Sequence, residues 1–330
     1  MASSVPREAH AAVLADTSIP VATRMRAIFY LKDMGGIESA AALEAALADM
    51  SGSVLFRHEL AYVLGQMGFK ESLPALEAVL RNVSDDAIVR HEAAEAMAAI
   101  GDPSSLPVLE EFCSDPAPEV SETCEIGVRS LRWQAEAGPD AVKARDTANP
   151  FESVDPAPPV EVLSPSDKER AEAAAADTAS ADVAALRASL VDEAAPLFER
   201  YRAMFSLRNR CTTDAAAVEA LCAGLKATSA LFRHEVAYVL GQAARPEATE
   251  ALTASLRDEE EHPMVRHEAA EALGAVGTPE AEAVLESFRS SDCTIVRESC
   301  EVALDAADYF AQFAKQGEAT VATGAAASAE

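Results

Sequence analysis

The stretch VRHEAAEALGAVG, Val265 to Gly277, places apolar residues at three- and four-residue spacing and stops at a glycine, with Pro279 close behind. That period turns one face of a helix toward a core, and glycine followed by proline ends one helix and opens the next. Val89 to Gly101 reads VRHEAAEAMAAIG and again has a proline, Pro103, just after it. Each such unit predicts two helices joined by a short turn. One hairpin cannot bury its own apolar stripe, so stacked neighbours must supply the missing face.

The pattern recurs. Leu55 to Gln66 reads LFRHELAYVLGQ and Leu231 to Gln242 reads LFRHEVAYVLGQ, a single substitution apart and displaced by 176 residues. The same displacement carries VRHEAAEAMAAIG onto VRHEAAEALGAVG, Arg24-Met25-Arg26 onto Arg200-Tyr201-Arg202, and Cys124-Glu125 onto Cys300-Glu301. Inside each copy the period is 33 residues, with a shortened fourth unit starting near Val120 and its twin near Val296. The expected fold is therefore all-α: an α-solenoid whose hairpins resemble HEAT repeats, in two four-repeat halves related by internal duplication. The halves are predicted at 1–135 and 183–312. The Pro-, Ser-, Ala- and Asp-rich stretch 136–182 reads as an exposed flexible linker, and 313–330 as a disordered tail.

Composition narrows the function. Over 330 residues the formal charge is −28, which argues against a nucleic-acid partner, because phosphate binding depends on Lys and Arg. The opening MASSVPREAHAAVLADTS lacks a basic segment followed by an apolar run, and no stretch approaches the ~18 apolar residues of a membrane span. The reading is a cytoplasmic protein without a membrane partner, working as a monomer. Its six cysteines show no C-x-x-C spacing, so they are taken as reduced, mostly buried thiols.

Four of the six histidines, His58, His91, His234 and His267, stand in the same Arg-His-Glu context. A repeat could copy such a motif without using it. Yet the outer units carry Met25-Arg26, Tyr201-Arg202, Glu122-Thr123 and Glu298-Ser299 at that place, so the hairpin folds without His-Glu. Side chains from adjacent stacked helices can converge on one ion, which lets His58 meet His91 and His234 meet His267. Imidazole and carboxylate without thiolate suit iron, manganese or zinc. Neighbouring residues on a helix point ~100° apart, so the four glutamates can divide between closing metal shells and receiving a cationic substrate. Arg57, Arg90, Arg233 and Arg266 read as a structural ladder, Tyr62 and Tyr238 as core, and His10 and His262 as surface residues.

Four RHE motifs, confined to the second and third units of two four-unit halves, resemble the deoxyhypusine hydroxylase family over roughly residues 9–135 and 183–312. The resemblance implies an oxygen-dependent, non-haem di-iron monooxygenase acting on a protein partner, the deoxyhypusine form of translation initiation factor 5A. It implies two Fe2+ ions with molecular oxygen as co-substrate. One ion would be held by His58, His91 and Glu92, the other by His234, His267 and Glu268, while Glu59 and Glu235 would receive the substrate amines. The rival readings are a metal-free HEAT scaffold that only binds partners, and a di-iron oxygen carrier or ferroxidase.

Overall fold

Local chemistry sets the ends of the helices that carry the motifs. Ser53 and Asp86 accept the backbone N–H of Phe56 and Ile88, Ser229 that of Phe232, and the His262 ring that of Met264. Each satisfies a first-turn donor that the helix itself cannot pair. Gly68, Gly101 and Gly277 close three of these helices in the left-handed region. The position matching Gly68 holds Ala244 at φ 48°, a conformation that costs a side-chain-bearing residue about 1 kcal/mol.

The computed structural model describes residues 5–151, 153–167 and 182–309, which contain helices and no strand. Helix α1 (Arg7–Ala15) pairs with α2 (Val21–Met34), α3 (Ile37–Leu47) with α4 (Val54–Met67), and α5 (Leu73–Arg81) with α6 (Ala87–Ile100). Helix α7 (Leu106–Phe112) packs on α8 (Pro118–Ala148), which bends at Gly138-Pro139. In the second half α9 (Val183–Leu190) pairs with α10 (Leu197–Arg208), α11 (Ala215–Cys222) with α12 (Ala230–Ala243), and α13 (Thr249–Arg257) with α14 (Pro263–Val276). Helix α15 (Pro279–Ser287) leads into α16, residues 294–309. None of these helices is long and apolar enough to cross a membrane.

The second helix of each hairpin forms an inner row: α2, α4, α6 and α8 in one half, α10, α12 and α14 in the other. Leu60, Leu64, Met97, Leu240 and Leu273 on these helices are buried, each side chain contributing about 1.5–3 kcal/mol. Close approach within the row depends on two glycines. A Cβ on Gly65 would lie 2.7 Å from the Ala96 Cα, and one on Gly241 would lie 3.0 Å from the Ala272 Cα. The arginines preceding the motif histidines form the expected ladder: Arg57 donates to Leu47 O, Arg90 to Leu80 O and Arg266 to Leu256 O. Asp85 and Asp115 pair with the first two. Arg233 departs from the pattern, reaching Ala227 O and Glu261, because the turn Ala223–Lys226 replaces the end of the outer helix.

Three expectations change. The stretch 136–182 is no free tether where it is described: α8 runs on to Ala148, and Asp155, Ala157, Val162, Ser164 and Asp167 are buried. The reason is charge. Arg208 and Arg202 are buried on α10, and the linker brings Asp155 to the first at 2.6 Å and Asp167 to the second at 3.0 Å. His10 is buried with its ring 4.9 Å from that of Tyr30, while half-buried His262 is a helix cap. The cysteines are free thiols, but only Cys124, Cys211 and Cys300 are fully buried. The tail predicted at 313–330 lies outside the described residues.

Candidate metal centre

Helices α4, α6, α12 and α14 each bring one motif to the contact between the halves. The His58 and His91 rings lie 5.5 Å apart and the His234 and His267 rings 5.4 Å apart. Across the halves, His58 stands 5.1 Å from His267 and 6.0 Å from His234, and His91 stands 5.4 Å from His234. Twin clusters have become one quartet. One cross-half contact helps to place it: the Ser229 hydroxyl, at the start of α12, donates to Glu122 at 2.5 Å. Glu122 and Glu298 occupy the fourth-unit positions where the inner units have histidine.

Carboxylates surround the quartet. Glu92 lies 3.1 Å from His58 Nε2, Glu268 lies 3.5 Å from His234 Nε2, and Glu59 and Glu235 sit beside the Nδ1 atoms of His58 and His234. Glu271 faces His267 Nδ1 at 3.4 Å and accepts from Ser299 at 3.0 Å. Donor atoms of His58, His91 and Glu92 lie within 4.8 Å of one another, as do those of His267, Glu268 and Glu271 and those of His58, His234 and His267. The motif residues named from the sequence are therefore brought together. Glu271 and its twin Glu95 were missed. Both repeat at the duplication interval, one turn after His267 and His91, where the preceding units have Tyr238 and Tyr62.

The cavity below the quartet has a volume of about 390 Å³, within the size of small-molecule sites. Glu59, Glu92, Glu95, Glu235, Glu268 and Glu271 line it, and no Lys or Arg does so among the described residues. Tyr62 and Tyr238 are half-buried cavity walls instead of core, their hydroxyls 2.9 Å apart. Burial raises Glu59, Glu95, Glu268 and Glu271 above the usual carboxylate range, and burial together with Glu92 takes Glu235 to about 8. Burial also pushes His91 and His267 well below the ordinary imidazole value and, with the His58 charge, His234 to about 3. For His58 burial works in the same direction, but Glu92 and Glu59 outweigh it and hold the ring well above 6.5. So many acids around so little positive charge make a site for cations.

The imidazoles fit a metal. Both ring nitrogens of His58, His91 and His234, and Nε2 of His267, are buried without a hydrogen bond; the nearby carboxylates are close but poorly aligned. An unpaired buried polar atom costs about 1–3 kcal/mol. Four such rings are tolerable where ions complete them, and nitrogen with oxygen donors suits iron, manganese or zinc.

Residues 50–128 and 218–305 match the HEAT-repeat family model. The solved structure of human deoxyhypusine hydroxylase in complex with glycerol is similar over 92% of this chain and 96% of that one, with a TM-score of 0.80 and 44% identity. The chain belongs to the deoxyhypusine hydroxylase family. The deoxyhypusine hydroxylase of Gallus gallus is 51% identical over 198 residues, 60% of this chain and 58% of that protein. That of Homo sapiens is 45% identical over 195 residues, 59% and 56% of the two chains. In these alignments the chain thus spans less than two thirds of its curated relatives.

Proposed function

We propose that this chain hydroxylates the deoxyhypusine side chain of translation initiation factor 5A, yielding hypusine. The observation that carries this reading is the quartet of buried imidazoles, seven of whose eight ring nitrogens lack a hydrogen bond, beside a carboxylate-lined cavity. In this assignment His58, His91 and Glu92 hold one iron and His234, His267 and Glu268 hold the other. Iron supplies activation of molecular oxygen, for which no protein side chain has the redox chemistry.

The remaining acids receive the substrate. Glu59 and Glu235 are not needed to complete either donor set, and both line the cavity beside the quartet. Each can accept hydrogen bonds from a secondary or terminal ammonium, fixing the alkyl chain between the amines against the metal. Burial keeps bulk water from these contacts and strengthens them. The overall charge of −28 draws in a polycationic protein loop. In this reading the partner is a protein, and the chain works as a monomer without nucleic acid or membrane.

Incubation of iron-loaded protein with the deoxyhypusine factor under oxygen, followed by mass analysis, is expected to show a gain of one oxygen atom. Glu59→Ala and Glu235→Ala should retain iron and lose substrate binding, whereas His91→Ala should lose iron. Full activity in both glutamate variants, or unchanged iron in the histidine variant, would refute these roles. A metal-free scaffold would show neither iron nor oxygen transfer.

A further inference from the structure

The cavity straddles two nearly equivalent halves, yet its surroundings on the two sides differ. Phe29 of α2 lines the cavity and is 41% exposed; Phe205, at the matching place on α10, is 1% exposed. The linker makes the difference. Its Ser153 lines the cavity and accepts from Gln242 Nε2 at 2.9 Å, while Val154 N donates to Gln66 at 2.9 Å. Asp155 then locks onto Arg208, and Val160 N donates to Ser206. Residues 153–162 thereby cover the Phe205 side. On the other side Phe29, buried Ala272 and exposed Ala275 line the cavity together.

We propose that, among the described residues, the linker leaves this cavity a single mouth, and that Phe29 is the residue at which the substrate side chain is received and oriented. The inference rests on the activity proposed above. Its chemistry follows from the mixture of the walls: apolar Phe29, Ala272 and Ala275 line the same cavity as the carboxylates. That mixture fits an alkyl chain bearing amines. Methylenes lie against the ring, the amines pass to Glu59 and Glu235, and the protein that carries the chain rests outside α2 and α14. The Phe29 ring face also attracts a passing ammonium as it sheds water. Substrate approaching from the opposite side would have to displace the Asp155–Arg208 pair, which is buried on both partners.

Two measurements test the mouth separately from the chemistry. In iron-loaded protein, Phe29→Ala should raise KM for the deoxyhypusine factor roughly fivefold, with kcat within about twofold of wild type and iron content unchanged. Benzoylphenylalanine installed at position 29 should capture the factor on irradiation without oxygen, whereas the same group at Glu161, exposed on the linker over the covered side, should not. Capture from 161 and not from 29, with an unaltered KM, overturns the single mouth even when wild-type protein adds oxygen. Capture from 29, together with wild-type protein that adds no oxygen, supports the mouth and refutes the activity. Absence of both capture and oxygen transfer refutes both.

Discussion

The two seams between the halves are built from corresponding helices and yet are held in different ways. At one, α2 meets α16 directly, through the Tyr30 and Tyr309 hydroxyls 2.8 Å apart and an ion pair between Arg26 and Asp305. At the other, α10 and α8 are bridged by the linker: Asp167 takes both Arg202 and the Trp133 indole N–H, and Asp155 takes Arg208. Arg202 corresponds to Arg26 by the duplication, but Arg26 is about one-third exposed and Arg202 is buried. A duplicated framework becomes functionally one-sided when an unduplicated segment fills one of two matching grooves. Symmetry brings the four imidazoles together, while its loss makes the two seams unlike.

The largest test of this contrast removes the buried acid. Asp155→Ala leaves Arg208 in place with no carboxylate, and unfolding by denaturant should show a loss of about 3 kcal/mol. A loss below about 0.5 kcal/mol would mean that the linker merely rests on the surface. At the bare seam Tyr30→Phe removes one half-exposed hydroxyl pair, and the same measurement should show about 0.5–1.5 kcal/mol. A larger effect there than at Asp155 would reverse the ranking of the seams.

A third test reads a slope, and it concerns the symmetric centre that both seams enclose. Glu235 has a folded-state pKa of about 8, above its ordinary 4.5. The stability that this raised value contributes is complete below about 4.5 and is lost as pH rises through about 8. Metal-free wild-type protein should therefore lose stability relative to Glu235→Gln over that interval, read from melting temperatures at a series of pH values. Parallel curves for the two proteins would show that Glu235 is not desolvated in the metal-free state.

Much of this could be read from the chain alone. Apolar positions at helical spacing, ended by glycine and restarted by proline, specify hairpins because each hairpin is a local structure. The interval between copies, and the restriction of His-Glu to inner units, identify the imidazoles because unused residues need not recur where the fold tolerates Met-Arg or Glu-Thr. Glu95 and Glu271 were equally periodic but escaped notice, since a glutamate one helical turn from another reads as a solvated face until the facing half covers it. His10 looked superficial for the opposite reason: the partner that buries it, Tyr30, belongs to the next helix.

What the sequence by itself determined is whatever depends on near neighbours: the helices, their caps, the arginine ladder, and the pairing of His58 with His91 and of His234 with His267. Only the tertiary structure decided that the two pairs merge into one quartet, that Tyr62 and Tyr238 wall a cavity, and that the linker lies buried along α10. Those outcomes join residues far apart in the chain. They depend on which surfaces meet and which buried charges find partners, and composition along a segment carries no record of either.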